Sequence, residues 1–367
     1  MQAGVRTATD LHGDLPVQMR EPPIVSIVVI ARNEAEHIGK SLEAAVRDAR
    51  ANNGEVVFVD CDSTDGTLEI AKEYPVTVVK MSPDTVLSAA AARRVGIISS
   101  TGRFIMFIDG DCVLDPGWVQ AAVKTLADNP DVAGVLGRLD EVYLRHGVVV
   151  GKKINACEMT NEVPVVTPWV GGNAAYRRSS LELVDGGFNP SIRSQEELEL
   201  WLRLLKKGQP ILLLPQTMVT HYTEDRWTFW ALWGRFAHGL CMGYGQVLRS
   251  SIRDGFFLQF VRRESRTFLF ALGCAAGVPA FFLAVFYDWL FLFLLWATVM
   301  LFPFLAIAVK SRNLKWPALM YAGWFLNCIG LVQGAMKTLP PTSDCRLDFC
   351  VVKGNDCPEW APDHGEK

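Results

Sequence analysis

The sequence predicts an open α/β sheet with helices on both faces, followed by a C-terminal transmembrane helical region. Three observations carry this. Short apolar, β-branched runs alternate with segments of helical period along the N-terminal part of the chain. One such run, FIMFI at 104–108, ends in Asp109-Gly110-Asp111. From about residue 265 to 336 the chain is apolar and nearly uncharged.

Each element has its own signal. Residues 1–22 are polar and contain proline, with no apolar core of a signal peptide, so they read as a loose lead-in to a cytoplasmic domain over 23–223. Residues 24–30, IVSIVVI, have the continuous apolar character of a buried parallel strand. Asn33 with Glu36 fits a capping box, and Ile38, Leu42 and Ala45 recur at helical spacing. A second strand at 55–59 delivers Asp60, Asp62 and Asp65 into a turn before a helix over 67–74. A third, partly exposed strand is expected at 76–80. An Ala-rich helix over 87–99, carrying Arg93 and Arg94, then leads to the strand at 104–108. This β-α-β-α-β-α-β order predicts a mostly parallel sheet. Ala31-Arg32-Asn33-Glu34 follows the first strand where a dinucleotide site needs GxGxxG, and GxxxxGK[ST] does not occur.

Further on, Asp115-Pro116 reads as an N-cap and first helical residue, with the helix running through 119–126. Residues 132–136 read as an edge strand, and 148–162 are ambiguous. Residues 165–176 contain Gly171-Gly172, with a helix start near Ser179. Gly186 to Pro190 is a turn-rich loop. Residues 196–207 form a helix with Leu198, Leu202 and Leu205 on one face; a short strand at 211–214 precedes His221.

The chain has 367 residues, enough for two domains, and a formal charge of −3, which gives no argument for nucleic-acid binding. Its 9 cysteines include no CxxC pair. Cys61, Cys112 and Cys157 read as ordinary thiols of a reducing compartment, while Cys345, Cys350 and Cys357 lie close together in the tail. The region 224–264 is expected to be amphipathic and interfacial, because Trp227, Phe229, Trp230, Trp233 and Phe236 suit a membrane–water boundary. A helix packed on the soluble domain is the competing reading. Within 265–336, the blocks at 268–287, 289–309 and 316–336 each approach the ~20 residues that cross a bilayer. Lys310, Arg312 and Lys315 sit in one loop and Asp288 in the other, which places the basic loop and the N-terminal domain on the cytoplasmic side of the cell (inner) membrane. If the third block crosses, the tail at 337–367 lies outside and its cysteines could pair there; if that block lies in the interface, the tail stays with the domain.

The chemistry centres on 109–111. Along an extended backbone, side chains at i and i+2 point the same way. Asp109 and Asp111 are thus expected to face one object, with Gly110 admitting it closely. A divalent cation carrying phosphates suits such a strand end; an ordinary acidic loop is the alternative.

These residues together resemble a membrane-attached family 2 glycosyltransferase of the GT-A fold. Ala31-Arg32-Asn33-Glu34 resembles that family's opening. Val59-Asp60-Cys61-Asp62-Ser63-Thr64-Asp65-Gly66-Thr67 resembles its nucleotide-side motif. Ala92-Arg93-Arg94-Val95-Gly96 sits where the family often has Ala-Arg-Asn-x-Gly. Asp109-Gly110-Asp111 matches the DxD metal motif, and Gly186-Gly187-Phe188 with Gln195-Glu196-Glu197 resembles the stretch holding the catalytic base. The resemblance covers about 24–223. It implies that Asp60 contacts the nucleotide base, that Asp62, Asp65, Arg93 and Arg94 line the nucleotide pocket, and that Asp109 lies near the ribose. Asp111, with Asp109, would bind Mg²⁺ or Mn²⁺; His221 is a candidate further contact near the metal or diphosphate, with an ordinary structural histidine as the preferred reading. Glu197 would be the general base, with Glu196 as the alternate, since neighbouring helical residues are not expected to face the same way. Gly171, Gly172 and Asn173 would lie on the acceptor side.

The resemblance thus implies inverting transfer of a sugar from a nucleotide-sugar donor to a lipid-linked or membrane-proximal acceptor at the lipid bilayer. The QxxRW signature of processive polymer synthases is absent; Arg226-Trp227 lacks its spacing. A haloacid-dehalogenase-type phosphatase would also show Asp109-Gly110-Asp111-Cys112-Val113, but after its first core strand. A non-catalytic scaffold of the same fold is the non-enzyme rival, prompted by Arg94 and Glu197.

Overall fold

The computed structural model describes residues 22–145, 147–154, 163–167, 170–224, 228–340, 342 and 345–352. The lead-in over 1–21, residues 155–162 with Cys157, Arg226, Trp227 and Cys357 lie outside the described residues.

Strand β1 (Val25–Ala31) is buried along its whole length. It runs parallel to β2 (Gly54–Asp60) on one side and β4 (Phe104–Asp109) on the other, with β3 (Thr77–Met81) beyond β2. Burial on both faces explains why these strands read as continuous apolar runs. One face packs on α1 (Ile38–Ala51), α2 (Thr67–Lys72) and α4 (Trp118–Asp128) through Leu42, Leu68 and Trp118. The other packs on α3 (Ala89–Ile98), α5 (Arg178–Glu182) and α6 (Glu196–Lys206) through Ala91, Leu181 and Leu200. α3 begins at Ser88, whose Oγ accepts from Ala91 N at 3.1 Å.

The sheet extends past β4 through β5 (Cys112–Leu114), β6 (Gly134–Arg145), β7 (Val148–Lys153), β8 (Val165–Val166), β9 (Ala174–Arg177) and β10 (Ile211–Glu224). With β11 (Phe349–Val351), the order is β11-β3-β2-β1-β4-β9-β6-β10-β5, with β7 beside β6 and β8 beside β10. The sheet is mixed rather than mostly parallel: β9 runs antiparallel to both β4 and β6, while β6 and β10 pair in parallel.

Four local expectations differ from the structure. The run at 132–136 is the start of the interior strand β6, which the polar residues after Gly137 concealed. The run at 211–214 opens a 14-residue strand, bulged between Leu213 and Val219 around Pro215. The capping box does not form: α1 starts at Ile38, and Asn33, at φ 57°, accepts from Thr64 N at 2.8 Å instead. Asp115 is not the N-cap of α4; Gly117, at φ 84°, is.

Beyond the sheet come α7 (Phe229–Ala237), a 3-10 turn (Leu240–Met242), α8 (Gly243–Arg253) and α9 (Phe257–Arg263). α7 has no buried residue and exposes Phe229, Trp230 and Trp233, as an interfacial helix would. Val247 of α8, Phe256 just before α9 and Phe260 of α9 pack instead on Leu198 and Leu202 of α6. Within 224–264, α7 thus stands exposed while α8 and α9 pack on the domain. α10 (Ser265–Phe286), α11 (Leu290–Ser311) and α12 (Lys315–Met336) are 22 residues each. At 1.5 Å per residue each is about 33 Å long, enough to cross a hydrocarbon core.

Candidate active site

Register brings the acidic residues together. Asp60 pairs across from Ala31, and Asp109 across from Ile30, so the ends of β1, β2 and β4 form one edge. Ligands of open α/β sheets bind outside such carboxyl ends.

Asp60 is fully buried. Its Oδ2 accepts from Ser63 N at 3.1 Å, while Oδ1 has no partner among the described residues. Burial raises its pKa, against the bonds from Ser63. A buried, unsatisfied acceptor is costly, and a ligand N–H would relieve it. Asp62 occupies the left-handed region at φ 61°, as a turn residue. Asp65 binds two loops together, accepting from Ala35 N at 3.0 Å and Thr67 N at 3.1 Å. Burial works against its charge, but the bonds from Thr67 and Ala35 hold its carboxyl below the usual range. A cavity of about 330 Å³ lies between residues 33–37, Asp65, Asp111 and Tyr222.

The chain turns at Gly110-Asp111 before β5 instead of staying extended, and the two carboxylates take different partners. Asp109 is tied to Arg93 through one carboxylate oxygen and stays partly exposed. Its Oδ1 accepts from Arg93 Nη2 at 2.9 Å, and its backbone N donates to Asn173 Oδ1 at 2.9 Å. Asp111 Oδ2 lies 3.1 Å from His221 Nε2. Pairing of β10 with β5 brings His221 opposite Cys112, and one ligand atom from each of Asp111, Cys112 and His221 falls within a 4.8 Å group. Burial pushes the Cys112 thiol well up, so it stays protonated. Mg²⁺ and Mn²⁺ favour oxygen and, for Mn²⁺, imidazole ligands. Asp111 and His221 fit either ion, and a cysteine sulfur suits these hard ions poorly; Asp109 offers one carboxylate oxygen that does not bond Arg93.

Arg93 is the hub of the site. It is 2% exposed, and its Nη1 also donates to Glu196 Oε1 at 2.8 Å and Glu197 Oε1 at 3.2 Å. Burial opposes its charge, but Asp109, Glu197 and Glu196 outweigh that and raise its pKa. Glu196 and Glu197 therefore do reach the same group, contrary to the helical expectation. They occupy the first turn of α6, after Gln195 at φ 65°, where the chain enters from outside the helical path. The two differ in exposure. Glu196 is buried, and burial, then the Glu197 charge, push its pKa up to about 7 against Arg93. Glu197 is more open and lines a second cavity of about 230 Å³ with Gly171, Gln195, Arg263 and Glu264.

Gly172 lies directly over the hub, since a Cβ there would overlap Arg93 Nη2. Asn173 braces β4 and donates to Cys112 Sγ at 3.3 Å. Arg94 is not brought to the cleft. It packs against Gly186, with Arg203 and Asp185 as charged neighbours, and burial lowers its pKa. One feature escaped sequence reasoning: the Tyr222 ring stacks on His37 at 5.5 Å and walls the first cavity. No local signal marks either residue, because β10 and the β1–α1 loop meet only in the tertiary fold.

A mixed α/β sheet with acidic residues gathered at its carboxyl edge defines a domain of the GT-A class. Residues 26–184 match the family model described as Glycosyl transferase family 2. The chain is 35% identical over 109 residues to Glycosyltransferase AglE of Haloferax volcanii, covering 29% of this chain and 36% of that protein. It is 27% identical over 220 residues to Succinoglycan biosynthesis protein ExoA of Rhizobium meliloti, covering 57% of this chain and 66% of that one. The chain thus spans about one third and just under two thirds of these two relatives. A solved structure of Mannosyltransferase PcManGT from Pyrobaculum calidifontis in complex with GDP-Man and Mn²⁺ has the same fold. It has a TM-score of 0.56 and 18% identity, and covers 86% of this chain and 88% of that one.

Proposed function

We propose that this protein transfers a sugar from a nucleotide-sugar donor to a lipid-linked or membrane-proximal acceptor, with inversion at the anomeric carbon. One observation carries the reading. Arg93 bonds the donor-side carboxylate Asp109 at 2.9 Å and the acceptor-side carboxylate Glu197 at 3.2 Å, fixing both about a single guanidinium. The unsatisfied Oδ1 of Asp60 accepts an N–H from the nucleotide base. Asp111 and His221 would hold Mg²⁺ or Mn²⁺, which would supply positive charge for the leaving diphosphate. Glu197 accepts the proton of the acceptor hydroxyl, opposite the departing nucleotide. Glu196, buried behind it, shares Arg93 without opening to the cavity. Arg263 and Glu264 tie the Glu197 cavity to the boundary of the apolar helices, which supports an acceptor presented at the bilayer. A GDP-sugar and Mn²⁺ bound to the Pyrobaculum relative support a nucleotide-sugar donor and a divalent ion. The domain faces the cytoplasm at the cell membrane, as the basic Lys310–Arg312–Lys315 loop favours.

The test is donor binding by the full detergent-purified chain against UDP-, GDP- and dTDP-sugars, with and without Mg²⁺ or Mn²⁺. One donor is expected to bind with metal, and Asp111→Ala to lose that binding. Glu197→Gln is expected to bind the donor yet lose about 10²–10⁴-fold in transfer to a membrane-extract acceptor. Absence of sugar-nucleotide binding under every metal condition overturns the reading.

A further inference from the structure

The tail returns to the sheet. β11 pairs antiparallel with β3, Phe349 opposite Met81 and Val351 opposite Val79. Ser82 N donates to Asp348 O at 2.8 Å, and Val352 N to Val78 O at 2.9 Å. Leu347, Phe349 and Val351 pack on the α3 face of the core. A segment hydrogen-bonded to this sheet lies on the same side of a bilayer as the sheet. The chain between α9 and β11 therefore crosses an even number of times, although α10, α11 and α12 are each long enough to cross.

α12 is the helix that does not fit a crossing. The mean hydropathy of its most apolar stretch is 1.2, against 2.2 for α10 and 2.5 for α11. It is also pressed onto the soluble part of the molecule. A Cβ on Gly330 would overlap Cys241 O, and one on Gly334 would overlap Met242 O, so α12 meets the 3-10 turn backbone to backbone. Arg249 Nη1 of α8 donates to Ala335 O at 3.2 Å. α8 is in turn fixed to the catalytic domain, with Gln246 Oε1 accepting from Arg193 N at 2.9 Å and Ser250 Oγ donating to Glu199 Oε1 at 3.0 Å.

α10 and α11 behave differently. They form a hairpin closed at Asp288, with Trp296 Nε1 donating to Gly273 O at 2.7 Å and Phe281 beside Phe293 at 6.1 Å. α12 meets α10 at the domain-proximal end, where Cys328 Sγ reaches Thr267 O at 3.9 Å and Tyr321 packs on Phe270 at 5.3 Å. Trp324 packs on the same Phe270 at 5.6 Å, and Tyr321 Oη also donates to Met300 O of α11 at 2.6 Å, so from Trp324 to Cys328 α12 runs back along α10 toward the domain, whereas a third crossing would run away from it. Charge agrees: Arg262, Arg263, Arg266, Lys310, Arg312 and Lys315 are exposed near the ends of these helices that face the domain. The far turn carries Phe286, Tyr287 and Trp289, aromatics suited to the opposite interface.

We infer that the chain crosses the bilayer twice, by α10 and α11. α12 lies along the headgroup boundary on the catalytic side, and residues 345–352 stay on that side. This topology holds whichever sugar and acceptor are used. It is tested on the full chain, with native cysteines replaced and a single cysteine introduced as Lys124→Cys, Asp288→Cys or Arg346→Cys. Sealed membranes are treated with a membrane-impermeant maleimide before and after permeabilisation. Lys124→Cys and Arg346→Cys are expected to label from the same side and Asp288→Cys from the other. Arg346→Cys labelling together with Asp288→Cys overturns the inference. A second measurement keeps all native cysteines: fusions of a fluorescent protein and of a periplasm-dependent phosphatase to each end of the chain. Identical readouts at both ends support two crossings, and opposite readouts overturn them.

Discussion

Glu196 and Glu197 share one guanidinium nitrogen but differ in what surrounds them, and that difference is measurable through pH. Burial and the neighbouring Glu197 charge raise the Glu196 pKa from an ordinary 4.5 to about 7. The folded state therefore holds this proton more tightly than the unfolded chain does. Its contribution to stability is fully present below about pH 4.5 and is lost as pH rises through about 7. Glu196→Gln keeps the shape and removes the titration. Denaturant unfolding at pH 5 and pH 8 is expected to show a smaller fall in stability with pH for the variant than for the parent chain. An equal fall in both proteins removes the raised pKa from the account. The same pair marks the limit of sequence reading for single residues. The Gln-Glu-Glu pattern marks the acidic pair, but what separates the two is exposure, and exposure depends on Arg93 arriving from α3.

Among the elements, α3 is Ala-rich because it lies close against β1. Gly96 is the tightest point: a Cβ there would overlap Val28 Cγ1, and Val28 is fully buried. Two effects compete in Gly96→Ala. Alanine improves helix propensity by about 1 kcal/mol. Overpacking against an immobile core side chain costs about 1–3 kcal/mol. The clash is severe and its partner cannot swing away, so the variant is expected to be destabilised in chemical denaturation. Adding Val28→Ala is expected to restore part of the loss. A stabilised Gly96→Ala single variant contradicts this packing. The element pattern from β1 to β4 was legible because strands buried on both faces are apolar throughout and their helices show a clear period. β6 and β10 were only half legible, because their outer halves alternate or carry polar residues and a bulge, which resemble loop sequence.

Across the molecule as a whole, β11 closes the edge of the sheet. Without it β3 would present unpaired backbone groups, a site for association with other chains. Truncating the chain before Cys345 is expected to speed hydrogen exchange at the Ser82 amide, which now donates to Asp348 O, and to increase aggregation. Unchanged exchange at Ser82 would mean the strand does not hold that edge in solution. The pairing joins the last described residues to the third strand of the chain, a separation that no local pattern announces.

The α/β class, the parallel core, the acidic turn after β2, the acidic strand end at 109–111 and three helices able to cross a bilayer are all written in the amino-acid order. They arise from short-range physics, namely burial periodicity, turn chemistry and hydropathy. The folded chain was needed to show that Asp109 turns toward Arg93 while Asp111 turns toward His221, that Arg94 leaves the cleft, and that the tail returns to β3. Each of those depends on contacts between residues distant in the chain, whose geometry is set by the packing of whole elements rather than by neighbours in sequence.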